Sequence, residues 1–274
     1  MSSPLTVTLI QSNLHWENKE ANLEMFEQKI VSIKERTEIV VLPEMFSTGF
    51  SMKAADLAEQ MDGKTIQWMK RMASSKKIII TGSVIIEEEG LYYNRLIWML
   101  PDGQTGCYDK RHLFAYAGED KFYTPGSKRL IGSVKGWKIN LMICYDLRFP
   151  VWSRLTPEHR LPEEGTNKDE YDLIIYVANW PDRRRHAWTT LLQARAIENQ
   201  CYVIGVNRVG KDAENNNYAG DSLVADPLGE VLYHCKEQED IHTITIDKSE
   251  VETIRKKLPF WKDADLFKIL NTDL

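Results

Sequence analysis

The sequence predicts an α/β protein of four layers, α-β-β-α, in which two stacked sheets carry helices on their outer faces. Short apolar runs bounded by turn residues recur along the chain and fall into two clusters, one in each half. Few segments with apolar residues at helical spacing lie between them, and two sheets with outer helices accommodate both facts. An apolar fraction of 43% with eight tryptophans is enough for a sizeable core in 274 residues.

"LTVTLIQ" (5–11) alternates into an apolar stretch and reads as a strand. Segment 17–35 spaces Leu23, Phe26, Ile30 and Ile33 as one helix face. "EIVVLPEM" (38–45) reads as a short buried strand that Pro43 ends. A helix over 64–75 uses Ile66, Met69 and Met72, and the stretch from "KKIIITG" to "GCYDK" then reads as strands joined at Gly90 and "PDGQ". In the second half, "WKINLMIC" (137–144) and "DLIIYVAN" (172–179) are strands, and 184–199 is a helix presenting Trp188, Leu191, Leu192 and Ala196. "CYVIGVNRVG" and a hairpin about "DPLG" add strands, "IHTITID" closes the sheet, and a helix follows at 248–257. The polar stretch 156–171, with two prolines and a glycine, reads as an exposed insertion loop in a single domain of 1–274.

A net charge of −5 leaves no electrostatic footprint for nucleic acid or anionic lipid. No apolar run approaches the roughly 20 residues that cross a bilayer, and the N-terminus has no basic segment ahead of an apolar one. The four cysteines (Cys107, Cys144, Cys201, Cys235) are widely spaced, with neither a CxxC pair nor a Cys/His cluster for zinc. The expectation is a cytoplasmic protein in a reducing compartment, with no metal.

Cys144 is the first candidate for chemistry. A cysteine beside Leu, Met and Ile is ordinarily inert core. This one ends a strand, however, and "YDLRFPVW" after it turns the chain toward a helix. Such a turn holds a nucleophile clear of the sheet and leaves nearby backbone N–H groups free for an oxyanion. A thiol attacks as its thiolate and needs a base. None of the six histidines has a suitable context, whereas Glu44 directly follows a buried strand and would act as a competent base there. Lys110, after "CYD", reads as a surface lysine unless it converges with Glu44 and Cys144, in which case its ammonium would stabilise an oxyanion. Glu119 supplies a further carboxylate.

"LPEMF", "YDKRHLF", "GEDKFYTPG" and "CYDLRFP" follow one another in an order and at spacings that resemble the nitrilase, or carbon–nitrogen hydrolase, superfamily over nearly the whole chain. The resemblance implies an α-β-β-α sandwich with a Glu-Lys-Cys triad: Glu44 as general base and acid, Lys110 as oxyanion stabiliser and Cys144 as nucleophile. Glu119 falls at the place of a supporting glutamate, and the Tyr145 backbone N–H would complete the oxyanion hole. "YVANWPDRRRHAWTTLLQARAIENQCYVIGVNRVG", "YAGDSLVADPLGE" and "KLPFWKDAD" are most similar to the bacterial omega-amidase branch. That branch implies hydrolysis of the ω-amide of 2-oxoglutaramate or 2-oxosuccinamate through a cysteine thioester, without cofactor, and a homodimer or larger homo-oligomer built on 149–155 and 187–197.

A half-amide of a dicarboxylic acid carries a distal carboxylate, which a planar guanidinium suits. Arg148 and Arg183 are the candidates, while Arg184 and Arg185 read as a solvated run opening a helix. Phe46, Phe114, Tyr145 and Trp180 are candidate pocket walls, although aromatics more commonly pack the core. The same triad would also serve an N-carbamoyl compound or deaminated glutathione. A reading of another class is a scaffold, or a redox-responsive protein with a merely exposed Cys144; Glu44 and Lys110 beside that cysteine argue against it.

Overall fold

The computed structural model describes residues 3–155, 171–265, 267 and 269. The first half runs β1 (Leu5–Gln11), α1 (Lys19–Ser32), β2 (Ile39–Val41), α2 (Ala54–Leu57), α3 (Lys64–Lys76), β3 (Ile79–Glu88), β4 (Leu91–Met99) and β5 (Thr105–Asp109). The second runs β6 (Ile131–Val134), β7 (Trp137–Ile143), α4 (Pro150–Ser153), β8 (Leu173–Val177), α5 (Arg185–Asn199) and β9 (Tyr202–Val206). It continues through β10 (Val209–Lys211), β11 (Asn217–Ala225), β12 (Val231–Lys236), β13 (Asp240–Ile246) and α6 (Lys248–Lys257). One sheet orders its strands β13-β1-β2-β3-β4-β5, and the other β10-β11-β9-β8-β7-β6 with β12 added on β11.

The period-2 pattern of the strands sets the layers. Ile39 and Val41 of β2 join Leu5, Val7 and Leu9 of β1 in a core shared with Ile139 and Leu141 of the other sheet. Val40, between them, faces the opposite way and packs with Phe26 and Ile30 of α1 and Met69 and Met72 of α3. A side chain of this size, fully buried, contributes roughly 1.5–3 kcal/mol. On the second sheet α5 lays Trp188, Leu192 and Ala196 against the core. Gly205 of β9 permits that approach, since a Cβ there would lie 2.5 Å from the Leu192 side chain and 2.8 Å from that of Trp188. Two helix starts follow the capping rule: Asn18 accepts from the Ala21 N–H ahead of α1, and Asp247 from the Ser249 N–H ahead of α6.

Two expectations change. "IHTITID" forms a strand but leaves the second half's sheet: β13 pairs antiparallel with β1, from Leu5 opposite Ile246 to Gln11 opposite Asp240. Cross-strand hydroxyl pairs, Thr6 with Thr245 and Thr8 with Thr243, mark the join. Most of the insertion expected at 156–171 lies outside the described residues, but Tyr171 at its end is fully buried and donates to the Ser153 carbonyl. No helix among the described residues is long and apolar enough to cross a membrane.

Candidate active site

Three strand ends bring the site together. After β2, Pro43 stops the strand and the chain turns over β3: the Met45 N–H donates to Ser83 Oγ at 2.8 Å and the Phe46 N–H to the Ser83 carbonyl at 3.1 Å. Gly82 makes room, since a Cβ there would stand 2.9 Å from both the Leu42 Cβ and the Phe46 ring. Glu44, at the head of this turn, is fully buried. Just past β5, the Lys110 N–H continues the pairing to the Asn94 carbonyl of β4 at 3.0 Å. At the end of β7, Cys144 takes φ +42°, the left-handed region that non-glycine residues avoid. Asp146 holds this turn: its carboxylate accepts from the Ile143 and His112 N–H groups and from the Tyr108 hydroxyl. An apolar run that ends in Cys-Tyr-Asp therefore delivers the sulfur at a constrained corner, as nucleophile elbows do.

The charges meet in the space between the sheets. Lys110 Nζ lies 2.9 Å from Glu44 Oε1 and 3.0 and 2.9 Å from the two oxygens of Glu119. Asn94 Nδ2 donates to Glu44 Oε1 at 2.8 Å and to Glu119 Oε1 at 3.2 Å, and the Phe114 N–H donates to Glu119 Oε2 at 2.5 Å. The Asn179 N–H, just past β8, completes the set on Glu44 Oε2 at 2.8 Å. Burial opposes the Lys110 ammonium, but Glu119 and Glu44 outweigh it and hold its pKa above the ordinary lysine value. Burial raises the Glu119 carboxyl, with Lys110 pulling against it and Glu44 adding to it. Burial, then Glu44, pushes the Cys144 thiol well above its ordinary value, with Lys110 opposing. At neutral pH the sulfur rests as a thiol, donating weakly to the Asn179 carbonyl at 3.9 Å.

Cys144, Glu44 and Lys110 line one cavity of about 430 Å³. Phe50, Phe114, Tyr145, Trp180 and Tyr218 supply aromatic surface, and Arg148, Arg183 and Arg184 bring three guanidinium groups. A cavity of this size holds a small organic molecule. The cysteine sits beside a carboxylate and an ammonium, the groups that acyl transfer through sulfur needs. A model of the carbon–nitrogen hydrolase family matches residues 6–256.

The chain belongs to the carbon–nitrogen hydrolase family.

Among proteins similar to it is omega-amidase YafV of Escherichia coli K12, 41% identical over 270 residues that cover 97% of this chain and 98% of that protein. The 2-oxoglutaramate amidase of Bacillus subtilis is 32% identical over 261 residues, 94% of this chain and 96% of that one. A CN-hydrolase superfamily protein from Xanthomonas campestris superposes with a TM-score of 0.92 at 41% identity, covering 97% of this chain and 99% of its own. This chain is thus a carbon–nitrogen hydrolase on the four-layer α-β-β-α sandwich of that superfamily, in its omega-amidase branch.

Of the residues singled out in the sequence, Glu44, Lys110, Cys144, Tyr145, Arg148, Arg183, Phe114 and Trp180 line the cavity of this carbon–nitrogen hydrolase. Glu119 stands behind Lys110 without reaching the wall. Phe46 is a correction. It is fully buried on the helix side of the first sheet, with ring centroids 5.6 Å from Phe26 and 5.9 Å from Trp68. The turn after Glu44 aims it away from the site. Arg184 is a second correction: it is half-buried and lines the cavity, whereas Arg185 pairs with Asp221 and Glu237 outside it. Sequence reasoning missed Asn94 and Asn179, which orient the carboxylates, and Phe50, whose ring centroid is 5.1 Å from Lys110 Nζ. A lone asparagine in an apolar strand signals a buried partner. Asn140 in β7 carries the same signal with no partner for its amide among the described residues, so the signal alone does not select the site.

Proposed function

We propose that the chain cleaves the ω-amide of a small dicarboxylic half-amide, foremost 2-oxoglutaramate, through a thioester on Cys144. The observation that supports this reading most is the meeting of the Cys144–Glu44–Lys110 constellation with three arginines at one cavity. Glu44 accepts the thiol proton as sulfur attacks the amide carbon, because a thiol held above its ordinary pKa gives up its proton only during attack. The C–N bond then breaks, Glu44 returns the proton to nitrogen, and ammonia leaves a thioester. Water, deprotonated by Glu44, cleaves the thioester to the acid and the free thiol. Lys110 and the Tyr145 N–H hold the oxyanion in both tetrahedral states. An ammonium has three protons: one on Glu44 and one shared by the Glu119 oxygens leave a third for that oxyanion.

The similarity to enzymes named omega-amidase and 2-oxoglutaramate amidase points to the same substrate class. As for assembly, we propose that a second copy covers the α4–α5 face, where Val151 and Ile197 stand 51% and 55% exposed. The single hydrolase domain is proposed to work in the cytoplasm, a setting that suits four free cysteines, Cys107 exposed among them. The test is ammonia release from 2-oxoglutaramate, 2-oxosuccinamate, glutamine and asparagine, run beside Cys144→Ala, with mass spectrometry of quenched enzyme. Turnover of the 2-oxo amides and an acyl adduct on Cys144 are the expected results. Ammonia released equally by Cys144→Ala would end the mechanism.

A further inference from the structure

Some arginines of this protein meet carboxylates, and others, such as Arg208 and Arg255, are satisfied by backbone carbonyls. Arg95 pairs with Asp109 and Glu88, and Arg185 with Asp221, Glu237 and Asp182. The cavity arginines differ from both groups. Arg148, Arg183 and Arg184 all line the cavity, and none has an ion-pair partner among the described residues. Arg148 lies over the Trp180 ring at 4.9 Å and Arg184 over the Phe114 ring at 5.0 Å. Arg183 is exposed, and a guanidinium in water gains little from an anion. Arg148 and Arg184 are both half-buried against an aromatic face, so an anion there meets a partly desolvated cation, and of the two Arg184 also stands at a helix start.

The backbone adds to the imbalance. Arg184 is the N-cap residue of α5, with no side-chain cap and no acidic residue in the helix's first turn. The positive end of the helix dipole thus falls beside uncompensated cations, the arrangement that an arriving carboxylate relieves. The group feels the strain: burial, then Arg183 and Arg148, hold the Arg184 guanidinium below its ordinary value.

We propose that Arg184, and not the exposed Arg183, is the residue that receives the distal carboxylate of the substrate. The inference rests on the half-amide reading above and extends it to discrimination between acids. Carboxylates of Glu17, Asp212 and Glu214 also line the cavity, but an α-ammonium beside a carboxylate held at Arg184 falls next to the guanidinium groups and is repelled, so a 2-oxo acid amide is favoured over the matching amino acid amide.

The experiment measures ammonia release by wild type and by Arg184→Gln, Arg183→Gln, Arg148→Gln and Arg184→Lys, each checked for an unchanged melting profile. The substrates are 2-oxoglutaramate, succinamate, glutamine and the neutral pentanamide. Arg184→Gln should lose about 10- to 100-fold in kcat/KM on the two half-amides, mainly through KM, and little on pentanamide. Arg184→Lys should recover part of that loss, and the glutamine-to-2-oxoglutaramate ratio should rise in Arg184→Gln. An equal loss on pentanamide, or a selective loss confined to Arg183→Gln or Arg148→Gln, overturns the assignment. A wild type without preference for half-amides over pentanamide fails the parent reading instead, so the two failures are distinguishable.

Discussion

Asn179 clamps Glu44 from the opposite sheet. Its backbone N–H donates to Glu44 Oε2 at 2.8 Å while its side-chain Nδ2 donates to the Glu44 carbonyl at 2.5 Å. One residue past β8 therefore holds both ends of a residue past β2, 135 positions away. The carboxylate's aim is thus a property of how the two sheets are stacked.

Asn179→Ala keeps the backbone bond and deletes the side-chain one, leaving a buried carbonyl without that donor. The expected cost is about 1–3 kcal/mol in stability. If the clamp sets the base, kcat should fall at least about 10-fold well below the melting temperature, with KM little changed. Wild-type kcat in a destabilised Asn179→Ala would show that Glu44 is held well enough by Asn94 and Lys110.

A second prediction concerns the corner at Cys144. An ordinary Ala→Gly exchange inside a regular element costs roughly 0.5–1 kcal/mol. At φ +42° that order is disturbed, because the left-handed region penalises any Cβ by roughly 1–2 kcal/mol. Cys144→Gly should therefore melt no lower than Cys144→Ala, both being inactive. A glycine variant about 1 kcal/mol less stable in urea unfolding would mean that the corner carries no strain.

The layers were legible because periodicity of two and of 3.6 survives burial: Val40 and Val41 face different cores, as their alternation implies. Partner choice was not, since β13 reads as a strand whichever edge it joins, and its place beside β1 is a long-range pairing. At the site, Glu44, Lys110 and Cys144 stood out because each follows a strand end, where side chains reach the space between sheets. Phe46 and Arg184 went the wrong way for one physical reason. A local motif does not say which face a turn presents, so an aromatic beside Glu44 entered the core and an arginine in a polar run entered the cavity. Asn94 and Asn179 carry no charge, and their roles exist only once the two carboxylates have arrived.

The last prediction follows from the carboxyl that stands behind Lys110. Burial raises the pKa of Glu119, with Lys110 opposing and Glu44 reinforcing. A carboxyl that binds its proton more tightly in the folded than in the unfolded chain contributes stability below its unfolded pKa, and that contribution is lost as pH rises through the folded value. Glu119→Gln removes this titration while keeping an oxygen that can accept from the Phe114 N–H or from Lys110. The variant places an amide NH2, which only donates, where one of the two Glu119 oxygens accepts from Lys110, so it melts below wild type in acid. As pH rises through and above the ordinary carboxylate range, wild type acquires the cost of a buried anion at Glu119 and the variant does not. The gap in Tm between the two should therefore narrow with rising pH, and differential scanning calorimetry across that range measures it. A gap that widens would mean that Lys110 binds the ionised Glu119 tightly enough to overcome its burial, reversing the direction assigned to that carboxyl.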